Sequence, residues 1–311
     1  MAHVVETMAY AGEVPWHGLG TKVPYDLSTN DMLKEAGLDW TVSKKPLKFF
    51  SGDQMKSTGM TALVRDTDDK ILSYVSSKWN PVQNQQAFDF FKEYVDAGNM
   101  HMHTAGSLQD GKRVWALAKI ADNDFSLFEG KDDIESYLLF CNPHQHGASV
   151  QIKTTNVRVV CNNTLTQSLD QASNVSLNLT HRTEFDPEHV KETLGMAKAR
   201  MVEFKELATY LGSKRYDEVS VNAYLQEVFK NHGNGTRIGK SAQQAFSILE
   251  TQPGADIRPG SWWNCLNAVT YMTDHVLGKS VDARMSSSWY GANSRVKDKA
   301  LKKVVAYADA A

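Results

Sequence analysis

The sequence predicts an α+β fold, a mainly antiparallel sheet of hairpins with helices segregated toward the C-terminal half. Three observations lead there. Short β-rich runs separated by turn residues recur through the first half. Apolar residues three and four apart dominate the second. The composition, 41% hydrophobic and 23% charged over 311 residues, is that of an ordinary globular chain. There is no run of 18 apolar residues, so no membrane span is expected.

Taken in order, residues 1–58 look irregular, punctuated by Pro15, Trp16, Pro24 and Pro46. Within them Ser28-Thr29-Asn30-Asp31 is a cap before Met32–Ala36, and Gly37 ends that helix. Thr61–Arg65 and Ile71–Val75 flank the polar turn Asp66–Lys70 and form a hairpin. Ala87–Val95 is a helix ending at Gly98. His101–Leu108 and Arg113–Ile120 pair around Gln109-Asp110-Gly111, because Asp-Gly supplies the positive φ that a tight hairpin needs. Ser136–Cys141 and Val150–Val160 complete about six strands. Val157–Leu165 runs from a strand into a polar, cap-rich turn and then a helix. Val175–Thr180 is one further strand.

Asp186-Pro187 opens a long helix. Its apolar positions Val190, Leu194, Ala197, Met201, Phe204, Ala208 and Leu211 make a 4-3 seam, fit for packing within the chain or against another subunit. Ser220–Phe229, Ala242–Leu249, Trp262–Leu277 and Val296–Tyr307 are also helical. The chain thus divides into residues 1–181, an irregular segment plus sheet, and residues 182–311, helical with a basic C-terminal segment, the two expected to pack as one unit.

Charge is unevenly spread. The net charge is −2, but residues 1–150 hold 14 basic against 20 acidic residues, and residues 151–311 hold 20 against 16. Lys279–Lys303 concentrates seven basic residues against two acidic ones. Such a patch can hold a polyanion, or simply solvate a helix face. Met1–Val14 lacks the basic and apolar regions of a secretory signal. Cys141, Cys161 and Cys265 are odd in number and widely spaced, which fits a reducing compartment. A cytoplasmic location, without membrane association, is expected.

Several motifs bear on chemistry. Cys141, His144 and His146 lie within six residues, and His101 and His103 alternate on a strand, but zinc needs three or four converging ligands. Gly233–Ser241 resembles a phosphate loop, yet its first required glycine falls on Asn234 and no strand precedes it. It reads as a loop ending one helix, with Ser241 capping the next. Gly278-Lys279-Ser280 fails likewise, since position 273 is Thr. No Gly-x-Ser-x-Gly elbow occurs, and no nucleophile constellation assembles. Neither an enzyme nor a cofactor is expected.

Basic and aromatic residues do interleave. Arg284, Trp289 and Tyr290 lead into Arg295, Lys297 and Lys299, and Lys153 and Arg158 extend the same track within the sheet. Phosphates attract cationic donors, and unpaired bases stack on aromatic faces. The other reading puts Trp289 and Tyr290 in the core and leaves the lysines to solvate the last helix. Arg158 alternates with Val157 and Val159 and so points away from their face. With Asn162 at the helix cap it would form a phosphate-binding corner, or else a cap plus an internal salt bridge.

Pro15–Gly20, Trp79–Gln83, Val157–Leu165 and the stretch from Trp263-Asn264 to His275, taken in order, resemble the phage/plasmid-like protein family that carries the domain of unknown function 932. The resemblance spans about residues 9 to 299. It implies a phage- or plasmid-encoded protein and supplies no catalytic residues. In organisation the chain is also similar to phage single-strand annealing proteins of the Red-beta/RecT type, which form rings or filaments on DNA without nucleotide. The expected function is therefore single-stranded DNA binding by a homo-oligomer, as an annealing or recombination protein. A phage exonuclease or a host protein are further partners this allows. Two alternatives stay open, an interaction protein that blocks a host defence factor and a metal-dependent nucleic-acid enzyme using Cys141, His144 and His146.

Overall fold

The structure, a computed structural model, describes residues 5–12, 20–122, 124–158, 163–166, 177–179, 202–229 and 239–311. The first half contains β1 (Val5–Ala11), β2 (Thr21–Val23), α1 (Thr29–Glu35), β3 (Val42–Ser51), β4 (Gln54–Arg65), β5 (Ile71–Ser76), α2 (Asn84–Asp96), β6 (Met100–Leu108), β7 (Arg113–Ile120), β8 (Phe125–Leu127) and β9 (Asp132–Pro143). Then follow β10 (Val150–Arg158), β11 (Asn163–Thr166), β12 (Leu177–Leu179), α3 (202–213), α4 (Glu218–Val228), α5 (Lys240–Ser247), α6 (Trp262–Tyr271), a π-helical turn (Met272–Val276), α7 (Val281–Tyr290) and α8 (Ala292–Asp309). The fold is α+β. Strand pairing is antiparallel except between β1 and β2, among the pairs described.

The chain divides into two compact units. The first comprises Met1–Asp122, Tyr137–Lys153 and Leu169–Leu194, the second Asn123–Ser136, Thr154–Ser168 and Gly195–Ala311. Strands β9 and β10 contribute residues to both.

In the first unit, β7 pairs with β6 on one side and with β9 on the other. Val114, Trp115, Ala116, Leu117 and Ala118 of β7 are all buried, so both faces of this strand are covered. Helix α2 begins with a reciprocal cap between Gln83 and Gln86 and sends Phe88, Phe90 and Phe91 into the core with Phe140. Gly106 lets β1 approach β6, since a Cβ there would collide with the Thr7 carbonyl. The Asp110-Gly111 turn forms as expected, with φ of 55°, 60° and 82° at Gln109, Asp110 and Gly111. The Ser28 hydroxyl accepts the Asp31 amide at 3.1 Å and starts α1.

A separate sheet of order β3-β4-β5 completes this unit. Where residues 1–58 are described they are not irregular but form β1, β2, α1, β3 and the start of β4. Pro46 sits at a register shift in β3, an edge strand, where proline costs no ladder hydrogen bond.

The second unit is built around α6. Trp262, Trp263, Cys265, Leu266, Ala268 and Val269 are buried together with Phe204, Ala208 and Leu211 of α3. Phe204 lies 6.0 Å from Trp263 and 6.1 Å from Phe125. This part of the 4-3 seam packs within the chain; Val190, Leu194, Ala197 and Met201 lie outside the described residues. Asp132 accepts the Trp263 indole N–H at 2.9 Å.

Four local expectations change. Asn163–Thr166 does not open a helix but forms β11, with Thr155–Arg158 paired against it and Asn163 directly opposite Arg158. The free edge of β10 is satisfied by β-forming Thr164, Leu165 and Thr166. The helix from Trp262 gives way at Met272 to a π-helical turn, in which the Leu277 amide donates to Met272 at 2.7 Å. Residues 281–290, to which no element is assigned from the sequence, form α7, capped by the Ser280 hydroxyl. Gly239, not Ser241, is the N-cap of α5.

Candidate nucleic-acid interface

The stretch from Asn264 to His275 is polar yet almost entirely buried, and the structure shows why. Where α6 passes into the π-helical turn, backbone carbonyls lose their regular partners. Side chains from α7 and α8 meet them. The Asn293 amide donates to Thr273 O at 2.6 Å and to Leu277 O at 3.0 Å. The Ser288 hydroxyl donates to the same Thr273 carbonyl at 3.1 Å. Asp274, within the turn, accepts from Lys297 of α8 at 2.8 Å, and both side chains are 1% exposed. Two buried charges of opposite sign thus tie the turn to the last helix.

This places the expected site residues. Lys297 is buried with Asp274 and is not part of an exposed track. Trp289 is buried, with Tyr290 half-buried beside it at 6.1 Å between rings. Arg284 is half-buried on α7. Lys299 is half-buried and donates to the Glu227 carbonyl. Arg295 is exposed and makes no ion pair among the described residues. Lys153 is half-buried in the first unit, whereas Arg158, at the end of β10, belongs to the second. Asn162 lies outside the described residues. The burial of Lys297 and Trp289 interrupts the track expected from Arg284 to Lys299.

What survives is a stripe on α8. Arg295, Lys299, Lys302 and Lys303 recur at i, i+4, i+7 and i+8, and so share one side of the helix. Val296, Ala300, Val304 and Ala308 are buried on the other. Lys303 pairs with Glu227 at 2.8 Å, and the Tyr307 hydroxyl donates to the same carboxylate at 3.1 Å. The Lys303 hydrogen bond chiefly holds the Glu227 carboxyl below its ordinary range.

The His and Cys motifs do not converge. Cys141 is buried in β9 opposite Trp115. The His144 ring is buried, 2.9 Å from Asn84 Oδ1, and His146 is exposed. His101 lies beside Tyr25 and His103 beside Tyr137. No group of three or more metal-ligating side chains comes together among the described residues. Among them, too, no helix is long and apolar enough to cross a membrane.

A second basic and aromatic surface was missed in the sequence. The β3–β4 hairpin exposes Lys44 and Lys45 near its base and Lys48, Phe49, Phe50, Met55 and Lys56 in its distal part. The signal was present in Gly52-Asp53, a two-residue turn between two β-forming runs, with Gly52 at φ 63°.

A family model described as Domain of unknown function (DUF932) matches residues 71–301. The chain belongs to that family. No curated protein and no solved structure matches it. The DUF932 region takes in β5–β12 and α2–α7 and most of α8, hence the buried Asp274–Lys297 pair and the strand pairing of Arg158 with Asn163. The β3–β4 hairpin lies before it.

Proposed function

We propose that this DUF932 protein is a phage- or plasmid-encoded single-stranded DNA-binding protein that acts as a homo-oligomer in annealing or recombination, without nucleotide. The observation that carries the reading is the basic stripe of α8. Its outer members Arg295 and Lys302 are exposed, and cations in such a row attract a phosphate backbone with little regard to sequence. The similarity in organisation to Red-beta/RecT-type annealing proteins supports the oligomeric, annealing part of the reading.

The test is fluorescence anisotropy with a labelled single-stranded oligonucleotide across a salt series, with light scattering on the same samples. Binding at about 50 mM salt that weakens steeply as salt rises, by particles larger than a monomer, is the expected result. An absence of binding at that salt refutes the DNA-binding role, and a monomer with and without DNA refutes the assembly.

A further inference from the structure

The β3–β4 hairpin projects beyond its sheet. Strand β5 pairs with β4 only over Met60–Val64. Distal to Met60 the ribbon has only its two strands among the described residues, and residues 44–60 are exposed apart from the half-buried Leu47. Large apolar side chains stand on it, with Phe50 at 72%, Met55 at 57% and Phe49 at 48% exposure. An isolated two-stranded ribbon is marginal in water, and exposed apolar clusters mark interaction sites.

The register distributes these residues over both faces. Phe49 lies opposite Lys56, and Phe50 opposite Met55. Cross-strand partners share a face and neighbours alternate, so one face carries Phe49 with Lys56 and the other Phe50 and Met55 with Lys48. Lys45, Lys48 and Lys56 make no ion pair among the described residues. Residues 42–60 hold four lysines against Asp53 alone.

We infer that this arm is a second nucleic-acid contact, taking single strands by stacking bases on Phe49 and Phe50 while Lys45, Lys48 and Lys56 hold the phosphates. The inference deepens the single-strand reading and rests on it. Three features select this partner. An aromatic face beside a lysine suits an unpaired base with its phosphate, whereas a duplex keeps its bases stacked. A lipid surface or a flat protein interface wants its apolar groups on one side, but here the two rings point to opposite faces. The tip, Ser51-Gly52-Asp53-Gln54, is polar and acidic and unsuited to entering a bilayer. Strand addition by a second copy is discouraged too, because lysines and Pro46 guard the β3 edge.

Full-length protein is compared with F49A/F50A and with K45A/K48A/K56A, using a labelled single-stranded oligonucleotide, its duplex, and vesicles of phosphatidylserine and phosphatidylcholine. All five positions are exposed, so melting curves should match the parent. F49A/F50A should weaken single-strand binding at least tenfold, with little effect on the duplex, and the triple lysine variant should flatten the salt dependence. Photocrosslinking to 5-iododeoxyuridine should mark the tryptic peptide Phe49–Lys56. Unchanged single-strand binding by both variants, crosslinks that avoid this peptide, or arm-dependent binding to vesicles in preference to DNA would each overturn the inference. Loss of binding in an Arg295/Lys302 variant with full binding in the arm variants would fail the arm alone. Absence of single-strand binding by the parent would fail both.

Discussion

The β3–β4 arm and the segment from Arg284 to Lys303 are both rich in lysine and aromatic residues, yet they use them oppositely. The arm exposes Phe49 and Phe50. The C-terminal segment turns Trp289 and Lys297 inward. What differs is the layer beneath. Helices α7 and α8 pack on a π-helical turn whose carbonyls and Asp274 need donors. Among the described residues, no strand pairs with the distal ribbon once β5 stops at Ser76. Residue type alone therefore does not mark a binding surface. A cation or ring becomes available to a ligand only where the fold leaves it without an internal task.

The sharpest test of this contrast is Lys297. Removing it strands the Asp274 carboxylate in the core, and breaking a buried pair costs about 3–5 kcal/mol. Lys297→Ala should therefore melt far below the parent, while Lys297→Met with Asp274→Leu should recover much of the loss, since packed apolar groups can replace a buried pair. Single-strand affinity of the folded protein should be retained in both. A Lys297→Ala protein that melts normally and loses DNA affinity would break the comparison. Trp289→Ala, another buried position, should cost about 3 kcal/mol through the cavity it leaves, again without a specific effect on DNA.

The opposite pattern is expected on the arm. Phe50→Ala should change stability by no more than about 0.5 kcal/mol, as exposed substitutions generally do, while weakening single-strand binding. On the α8 stripe, Arg295→Ala with Lys302→Ala should lower the slope of log affinity against log salt by about 1.4, for two phosphate contacts at about 0.7 each. An unchanged slope would show that this stripe only solvates the helix.

The same contrast explains what could be read in advance. The β6–β7 hairpin was legible because Asp110-Gly111 announces its turn between two strand-like runs. Strand β3 was hidden because Lys44, Lys45, Pro46 and Lys48 look like a loop. They are tolerated only because the strand is a bare edge. The strand after Asn162 is hidden because Asn162-Asn163-Thr164 suits a helix cap as well as a turn, and the choice depends on the edge of β10, which no local signal reveals. The position of Lys297 is legible in the sequence. Asn293, Lys297, Ala300 and Val304 follow the 4-3-4 spacing of a buried stripe, and a lysine on such a stripe requires a buried acid, here Asp274.

The smallest expected effect concerns the root of the arm. Arg65 closes β4 and bridges two carboxylates, donating to Glu6 at 3.0 and 2.9 Å and to Asp68 at 2.9 and 2.6 Å. Its guanidinium also lies 5.4 Å from the centre of the Trp40 ring. The Arg65 hydrogen bond draws the Asp68 carboxyl down from 3.8 to about 2. A carboxyl lowered on folding adds stability above its unfolded value and gives it up as pH falls toward the folded one. The contribution of Asp68 should thus be intact at neutral pH and fade between about pH 4 and pH 2. Asp68 is largely open to solvent, so the change is small. Asp68→Asn should begin slightly less stable and show a shallower loss of melting temperature across that window. Because Glu6 still grips Arg65 in the variant, the arm should stay rooted, and single-strand binding at neutral pH should match the parent. If Asp68→Asn follows the parent's acid curve, the Arg65–Asp68 pair does not help to hold the root. If instead it loses DNA binding at neutral pH with its fold intact, the root positions the arm for its ligand as well as anchoring it.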